Sequence, residues 1–104
     1  MQSVAVFISH TAKPGQRDAL KAVWMRLMAP AIAANPDHLG YVYSFDTADA
    51  DSVGAFQVYS SAEAMQAFLK HPSYLAYVAE SRPLLAKEPQ VRILDPQWVK
   101  TWKT

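Results

Sequence analysis

The sequence predicts an α+β domain whose secondary-structure elements follow the order βαββαβ. Four short stretches are rich in β-branched and aromatic residues, and the longer stretches between them repeat apolar residues at helical spacing. The 104 residues have the length of one domain, and we expect 1–104 to form it. This order is that of the ferredoxin-like fold, which places both helices on one face of a four-stranded antiparallel sheet.

The first strand and the first helix are predicted in the N-terminal third. The strand at 3–11 is apolar on both faces, which is typical of a strand that is covered on both sides. The Lys-Pro-Gly turn at 13–15 leads into a helix at 16–34, and Trp24 belongs to its apolar stripe. Pro30 is expected to kink or break this helix, because proline has no backbone N–H.

The middle of the chain predicts a β-hairpin. Strand two is expected at 39–46 and strand three at 55–59, with a polar connection at 47–52 between them. Ser60 and Ser61 follow strand three and offer hydroxyl caps for the next helix.

The second helical region is expected in two pieces. The first piece ends near Lys70, because Pro72 disfavours helical backbone at His71. Helical spacing then resumes as far as about Leu85, and the fourth strand is predicted at 88–95.

Composition excludes several classes of protein. The net charge is +1 and the ten Lys and Arg are scattered, so we expect no nucleic-acid partner. Without cysteine there is no disulfide framework and no thiolate metal site. No apolar run approaches ~18 residues and no signal-peptide pattern is present, so we expect a cytoplasmic protein with no membrane partner.

One face of the predicted sheet has no helix to cover it. Either Phe56 and Val58 or their opposite neighbours must occupy it, and strand one is apolar there as well. Such a face exceeds what a soluble monomer tolerates, so we predict a homodimer that packs sheet against sheet. The tail at 97–104 carries Trp98 and Trp102, which we expect to dock on the partner or to seal the edge of the sheets.

The three histidines are His10 at the end of strand one, His38 before strand two and His71 in the helix break. None has a second histidine at metal-ligand spacing, and we predict no metal site. A solvated or capping role is the alternative for each of them. His38 and His71 remain catalytic candidates, for acid–base chemistry or hydrogen bonding, because a pocket between sheet and helices would open near them.

Aromatic residues from several elements could line one cavity. The set is Trp24, Tyr41, Tyr43, Tyr59, Phe68 and Tyr74. A plain aromatic core is the alternative. Buried tyrosine hydroxyls, indole N–H groups and the mid-strand Gln57 all need hydrogen-bond partners, which favours a pocket for a flat aromatic ligand. The candidate substrate-binding residues are Trp24, Tyr41, Gln57, Phe68 and Tyr74.

The stretch 54–77 has a recognisable pattern: an aromatic residue and serine, then alanine, then an aromatic-leucine pair, proline and another aromatic residue. The turn at 13–15, Pro30 and the segment 36–41 agree with it. Over most of the chain, the sequence resembles the antibiotic-biosynthesis monooxygenase family, and in particular its quinol monooxygenases. The resemblance implies a dimeric α/β barrel.

The resemblance also implies an activity: oxygenation of an electron-rich aromatic, such as a quinol or an anthrone, by dioxygen without metal or flavin. Tyr59 matches a tryptophan that matters in the anthrone-oxidising branch, so it becomes the third catalytic candidate and is assigned to the helix-facing side. The positions of the family's haem-degrading triad are occupied here by Ile8, Phe68 and Val78.

Two functions therefore stand. The first is a cofactor-independent monooxygenase of a small aromatic, with dioxygen as co-substrate. The alternative is a non-catalytic dimeric protein that binds a small apolar molecule. Both need the same pocket, and oxygen uptake distinguishes them.

Overall fold

The computed structural model describes residues 2–100. Trp102, one of the two tail tryptophans, lies outside the described residues. The elements are β1 (Val4–Thr11), α1 (Arg17–Ala34), β2 (His38–Phe45), β3 (Ser52–Tyr59), α2 (Ala62–Phe68), α3 (Pro72–Ser81), a 3-10 turn (Arg82–Leu84) and β4 (Gln90–Leu94).

The four strands form one antiparallel sheet in the order β2-β3-β1-β4. The two strands that are central in space, β1 and β3, are each followed by a helix, and all helices lie on one face. This arrangement confirms the predicted α+β, ferredoxin-like fold.

Alternation along β3 decides which residues face the helices. Val53, Ala55, Gln57 and Tyr59 are at most 3% exposed, and they pack on the helix side of the sheet. Tyr59 is therefore on the helix-facing side, to which the sequence assigned it, and Gln57 shares that face.

The opposite face of the sheet carries apolar side chains without a covering helix. Phe7 pairs with Phe56, and Phe56 pairs with Val42 across the next strand, so the three form a row. Phe7 is 37% and Val42 is 46% exposed. We call this row, Phe7, Phe56 and Val42, the open face.

Helix α1 is fixed to the sheet by Leu20, Trp24 and Met28, which are buried at four-residue intervals. Contrary to one part of the prediction, Pro30 does not break this helix, which continues to Ala34. Apolar residues beyond the proline still pack against the core. Their burial offsets the backbone hydrogen bond that proline cannot make.

The hairpin between β2 and β3 is tighter than predicted, so β3 begins at Ser52 rather than at 55. The Asp46 carboxylate accepts the N–H groups of Ala48 (2.7 Å) and Asp49 (3.0 Å). The Arg17 guanidinium donates to the carbonyls of Asp46, Asp49 and Ser52. Asx-type turns of this kind shorten a loop.

The predicted break between the second and third helices is present. Ser61 accepts the Ala64 N–H at 3.0 Å and caps α2. His71 Nδ1 accepts the Ser73 N–H at 3.0 Å and caps α3, whose first residue is Pro72.

Beyond the last strand, Trp98 is 81% exposed, and its docking on a partner stays a prediction. Within residues 2–100, no helix is both long and apolar enough to cross a bilayer.

Candidate functional site

A cavity of about 710 Å³ lies between the sheet and the helices. This volume is within the range of small-molecule sites. Its rim includes Val91 and Ile93 of β4, which are 57% and 62% exposed, so the cavity opens at the β4 edge of the sheet.

Most of the candidate site residues line this cavity. The lining members are Trp24, Tyr41, Gln57, Tyr59, Phe68 and Tyr74. The structure thus brings together residues from β2, β3 and all three helices. His38 and His71 are outside the lining, and each has other contacts.

One wall of the cavity is a set of flat rings. The indole of Trp24 stacks on Tyr43, with ring centroids 4.3 Å apart and planes 27° apart. Tyr41 is 5.5 Å from the same indole at 45°. A wall of this kind presents extended π surface to a flat ligand.

His38 lies behind the cavity wall. Its ring centroid is 4.4 Å from that of Tyr59 and 4.7 Å from that of Phe68, which it meets edge-on. Its Nε2 is 3.3 Å from Gln57 Oε1. His38 therefore touches three cavity-lining side chains without lining the cavity itself.

A chain of hydrogen bonds fixes the orientation of Gln57. The backbone N–H of Asp37 donates to Asn35 Oδ1 at 3.1 Å, so the Asn35 amide N–H faces His38 Nδ1 at 2.9 Å. Nδ1 must then accept, and the proton of the neutral ring is on Nε2. Nε2–H donates to Gln57 Oε1, which leaves the amide N–H groups of Gln57 as the donors on the cavity side.

Burial keeps the polar groups of this region uncharged. Desolvation lowers the pKa of His38, although the hydrogen bond to Gln57 and the charge of Asp37 act in the opposite direction. Burial raises the pKa of Tyr41 to about 12 and raises the pKa of Tyr59 as well. At neutral pH both tyrosine hydroxyls therefore remain protonated and can donate.

His71 has a structural task. Its Nδ1 caps α3, and its ring stacks on Phe68 at 5.4 Å and 26°. The side chain is thus held at the junction of the two helices and outside the cavity lining.

His10 lines the cavity, although the sequence did not single it out. It is 8% exposed, and burial lowers its pKa to about 4. Its ring meets Tyr77 edge-on at 6.1 Å. The signal was available in the sequence, because His10 has the same strand parity as Val6 and Ile8, which face the helices.

Within residues 2–100, no three histidine or carboxylate side chains come close enough together to hold a metal ion.

The protein is an α+β domain in which a ferredoxin-like sheet and its helices enclose a cavity of the size found in small-molecule sites. Residues 3–80 match the profile of the family described as antibiotic biosynthesis monooxygenase. The chain therefore belongs to the antibiotic biosynthesis monooxygenase family, which confirms the resemblance seen in the sequence.

Solved structures share the fold over almost the whole chain. A Chloroflexus aurantiacus protein named for this family is 30% identical, with a TM-score of 0.80, and the match covers 94% of this chain and 96% of that one. A Mycobacterium tuberculosis protein is 28% identical, with a TM-score of 0.83 and coverages of 93% and 97%.

A mutant of SnoaB, a cofactor-independent oxygenase from Streptomyces nogalater, is 17% identical, with a TM-score of 0.81 and coverages of 95% and 97%. This last likeness is one of fold. A comparison with curated proteins finds no match.

Proposed function

We propose that this protein is a cofactor-independent monooxygenase that oxidises a flat, electron-rich phenol, such as a quinol or an anthrone, with dioxygen. Membership of the family supports the reaction class, and SnoaB shows that the same fold serves a cofactor-independent oxygenase. The observation that carries the proposal is the orientation of Gln57, whose amide lies beside the aromatic rings of the cavity wall.

Gln57 is 3% exposed and lines the cavity from the middle of β3. Because its Oε1 accepts from His38, its amide N–H groups are turned to the cavity, and they donate to no residue among 2–100. Tyr59, two residues along the same strand face, adds a hydroxyl that burial keeps protonated. Together they offer donors to the oxygen of a bound phenol, and donors fixed in a dry site stabilise a phenolate most.

The chemistry follows from this stabilisation. The phenol loses its proton to solvent, and the phenolate transfers one electron to dioxygen. The resulting aryl radical and superoxide combine, forming a C–O bond, and the peroxide takes up a proton. At a ring carbon that still carries hydrogen, the peroxide loses water and leaves a carbonyl. One oxygen atom enters the product and the other leaves as water, and the substrate supplies all the electrons.

The remaining site residues position the ring and exclude water. Trp24 and Tyr41 provide the face on which the ring stacks, and Phe68 and Tyr74 close the side next to the helices. His38 acts through Gln57, as a positioning residue that holds the amide in its donating orientation.

We also propose that the protein acts as a homodimer in which a second copy covers the open face. The row of Phe7, Phe56 and Val42 is apolar and in part exposed. Burial of apolar area stabilises association by about 25 cal/mol per Å² of surface removed from water. Sheet-on-sheet packing of two identical faces is the symmetric way to bury this row.

Oxygen uptake by metal-free protein on a panel of hydroquinones and anthrones tests the activity. Gln57→Leu is expected to lower kcat/KM on the order of 10²-fold, because it removes a donor to the developing oxyanion. Gln16→Leu is the matched control, since Gln16 is exposed and its side chain makes no capping hydrogen bond. Thermal melting of each variant separates lost activity from lost folding.

Two outcomes would contradict the proposal. Tight binding of the aromatic panel without any oxygen uptake would favour the alternative, a non-catalytic binding protein. Full activity of a folded Gln57→Leu variant would refute the role given to the amide.

A further inference from the structure

The mouth of the cavity carries two cations that the proposed function leaves unused. The cavity lining includes Arg82, in the 3-10 turn after α3, and Lys87, in the loop before β4. Both residues are exposed, like the rim residues Val91 and Ile93. The two cations therefore lie at the open end of the cavity rather than in its depth.

The segment between the two cations is fixed to the end of β1. Ala12 and Leu85 form an antiparallel bridge, and two backbone hydrogen bonds of 2.8 Å flank it. The sheet thus sets the position of the backbone at 84–86. Because Arg82 and Lys87 stand on either side of this segment, their side chains are held at the same end of the cavity.

The two cations differ in how free they are to bind a ligand. Within residues 2–100, neither side chain donates a hydrogen bond or forms an ion pair with a carboxylate. The pKa of the Asp49 carboxyl is lowered mainly by a hydrogen bond from Ser52, and the charge of Lys87 makes the smallest contribution. Lys87 therefore acts in part on the hairpin, and Arg82 is the stronger candidate for binding an anion.

The charge of the lining is positive. Burial lowers the pKa of His10 to about 4, so this imidazole is neutral at neutral pH. The charged side chains of the lining are then Arg82, Lys87 and Glu88, two positive and one negative. A cleft with apolar walls concentrates the field of such an excess charge, which attracts an anion.

We propose that the substrate carries a carboxylate substituent, which Arg82 binds at the mouth of the cavity with Lys87 as the second cation. The guanidinium suits this group, because its planar N–H donors match the two oxygens of a carboxylate. The inference rests on the proposed function for the aromatic ring of the substrate, which lies deeper, against Trp24 and Tyr41. Arg82 and Lys87 then determine specificity and take no part in the reaction with dioxygen.

Calorimetric titration under nitrogen with two matched probes tests the inference. The probes are 6-hydroxy-2-naphthoic acid, which is ionised at neutral pH, and its primary amide, which has the same shape and no charge. The acid is expected to bind about threefold to tenfold more tightly at low salt, which is the usual value of an exposed ion pair. Added salt should bring this ratio towards one, because it screens exposed charges. Neither probe needs to react, so the result is independent of turnover.

Variants locate the source of the ratio. Arg82→Gln should bring it close to one, and Lys87→Gln should lower it less. Glu88→Gln should raise it, because this change removes the negative charge from the mouth. Lys21→Gln is the matched control, since it removes one positive charge outside the cavity lining and should leave the ratio unchanged. All four positions are exposed, so the variants are expected to fold.

Three results would overturn the inference: equal binding of the two probes, no binding of either probe, or a full ratio in both Arg82→Gln and Lys87→Gln. An equal loss in Lys21→Gln would do so as well, because net charge alone would then explain the ratio. Failure of the proposed function looks different: the ratio would hold while no quinol or anthrone supports oxygen uptake.

Discussion

Acid is expected to destabilise this protein through His10, and the effect can be isolated with one substitution. His10 is 8% exposed, and burial lowers its pKa from 6.5 to about 4. In the unfolded chain its pKa is close to 6.5. Between these two values the unfolded state therefore binds a proton that the folded state does not bind.

The sign and size of the effect follow from this difference. Because the unfolded state binds more protons, the free energy of unfolding falls as the pH falls through the window from 6.5 to 4. Each pKa unit corresponds to about 1.36 kcal/mol, so the loss over the whole window is about 3 kcal/mol. Such a loss is a large part of the stability of a small domain.

Urea unfolding at a series of pH values measures the effect, with His10→Phe as the comparison. The total protein concentration is held fixed, because association also stabilises the folded state. Burial lowers the pKa of His38 too, so the wild-type curve contains both histidines. The free energy of unfolding of the wild type minus that of the variant isolates the contribution of His10. This difference should fall by about 3 kcal/mol between pH 6.5 and pH 4, because only the wild type loses stability through His10. Parallel curves would refute the reasoning.

Four further results are expected. Light scattering should give twice the mass of one chain at micromolar concentration, and a stable folded monomer would contradict the dimer. Removal of 97–104 should weaken association, and unchanged association of the truncated chain would contradict docking of the tail. Trp24→Ala should cost about 3–5 kcal/mol of stability, measured by urea unfolding, because it opens a cavity against Tyr41 and Tyr43. Tyr59→Phe should lower turnover without lowering the melting temperature, and unchanged oxygen uptake would remove Tyr59 from the chemistry.

The fold could be predicted because its signals are local. Helix starts depend on caps such as Ser61, and the break at His71 and Pro72 follows from the geometry of proline. The strand order then follows from the element order, since few topologies connect βαββαβ in one sheet. Each of these steps uses only neighbouring residues or a general rule of topology.

Two details differ from the prediction: helix α1 is not broken at Pro30, and β3 begins earlier. Both depend on contacts between residues that are distant in sequence. Helix α1 continues past Pro30 because its later residues pack on the core. Strand β3 begins at Ser52 because Arg17, 35 residues away, bonds its carbonyl and those of the hairpin. Propensity and periodicity carry no information about such bonds.

The candidate site residues also fall into those that local patterns predict correctly and those that local patterns do not. Six of the eight candidate residues line the cavity, because strand parity and helical spacing decide which side a residue faces. The two histidines became candidates because they lie where one element ends and the next begins. Their side chains have different contacts at these two places. His71 caps a helix, whereas His38 lies behind Gln57.

His10 was not selected as a candidate from the sequence because it lies at the end of a strand. A histidine at the end of a strand is commonly solvated, and it is buried only where a helix packs over the end of that strand. Here α3 brings Tyr77 against it, so a residue expected at the surface becomes a buried, neutral group.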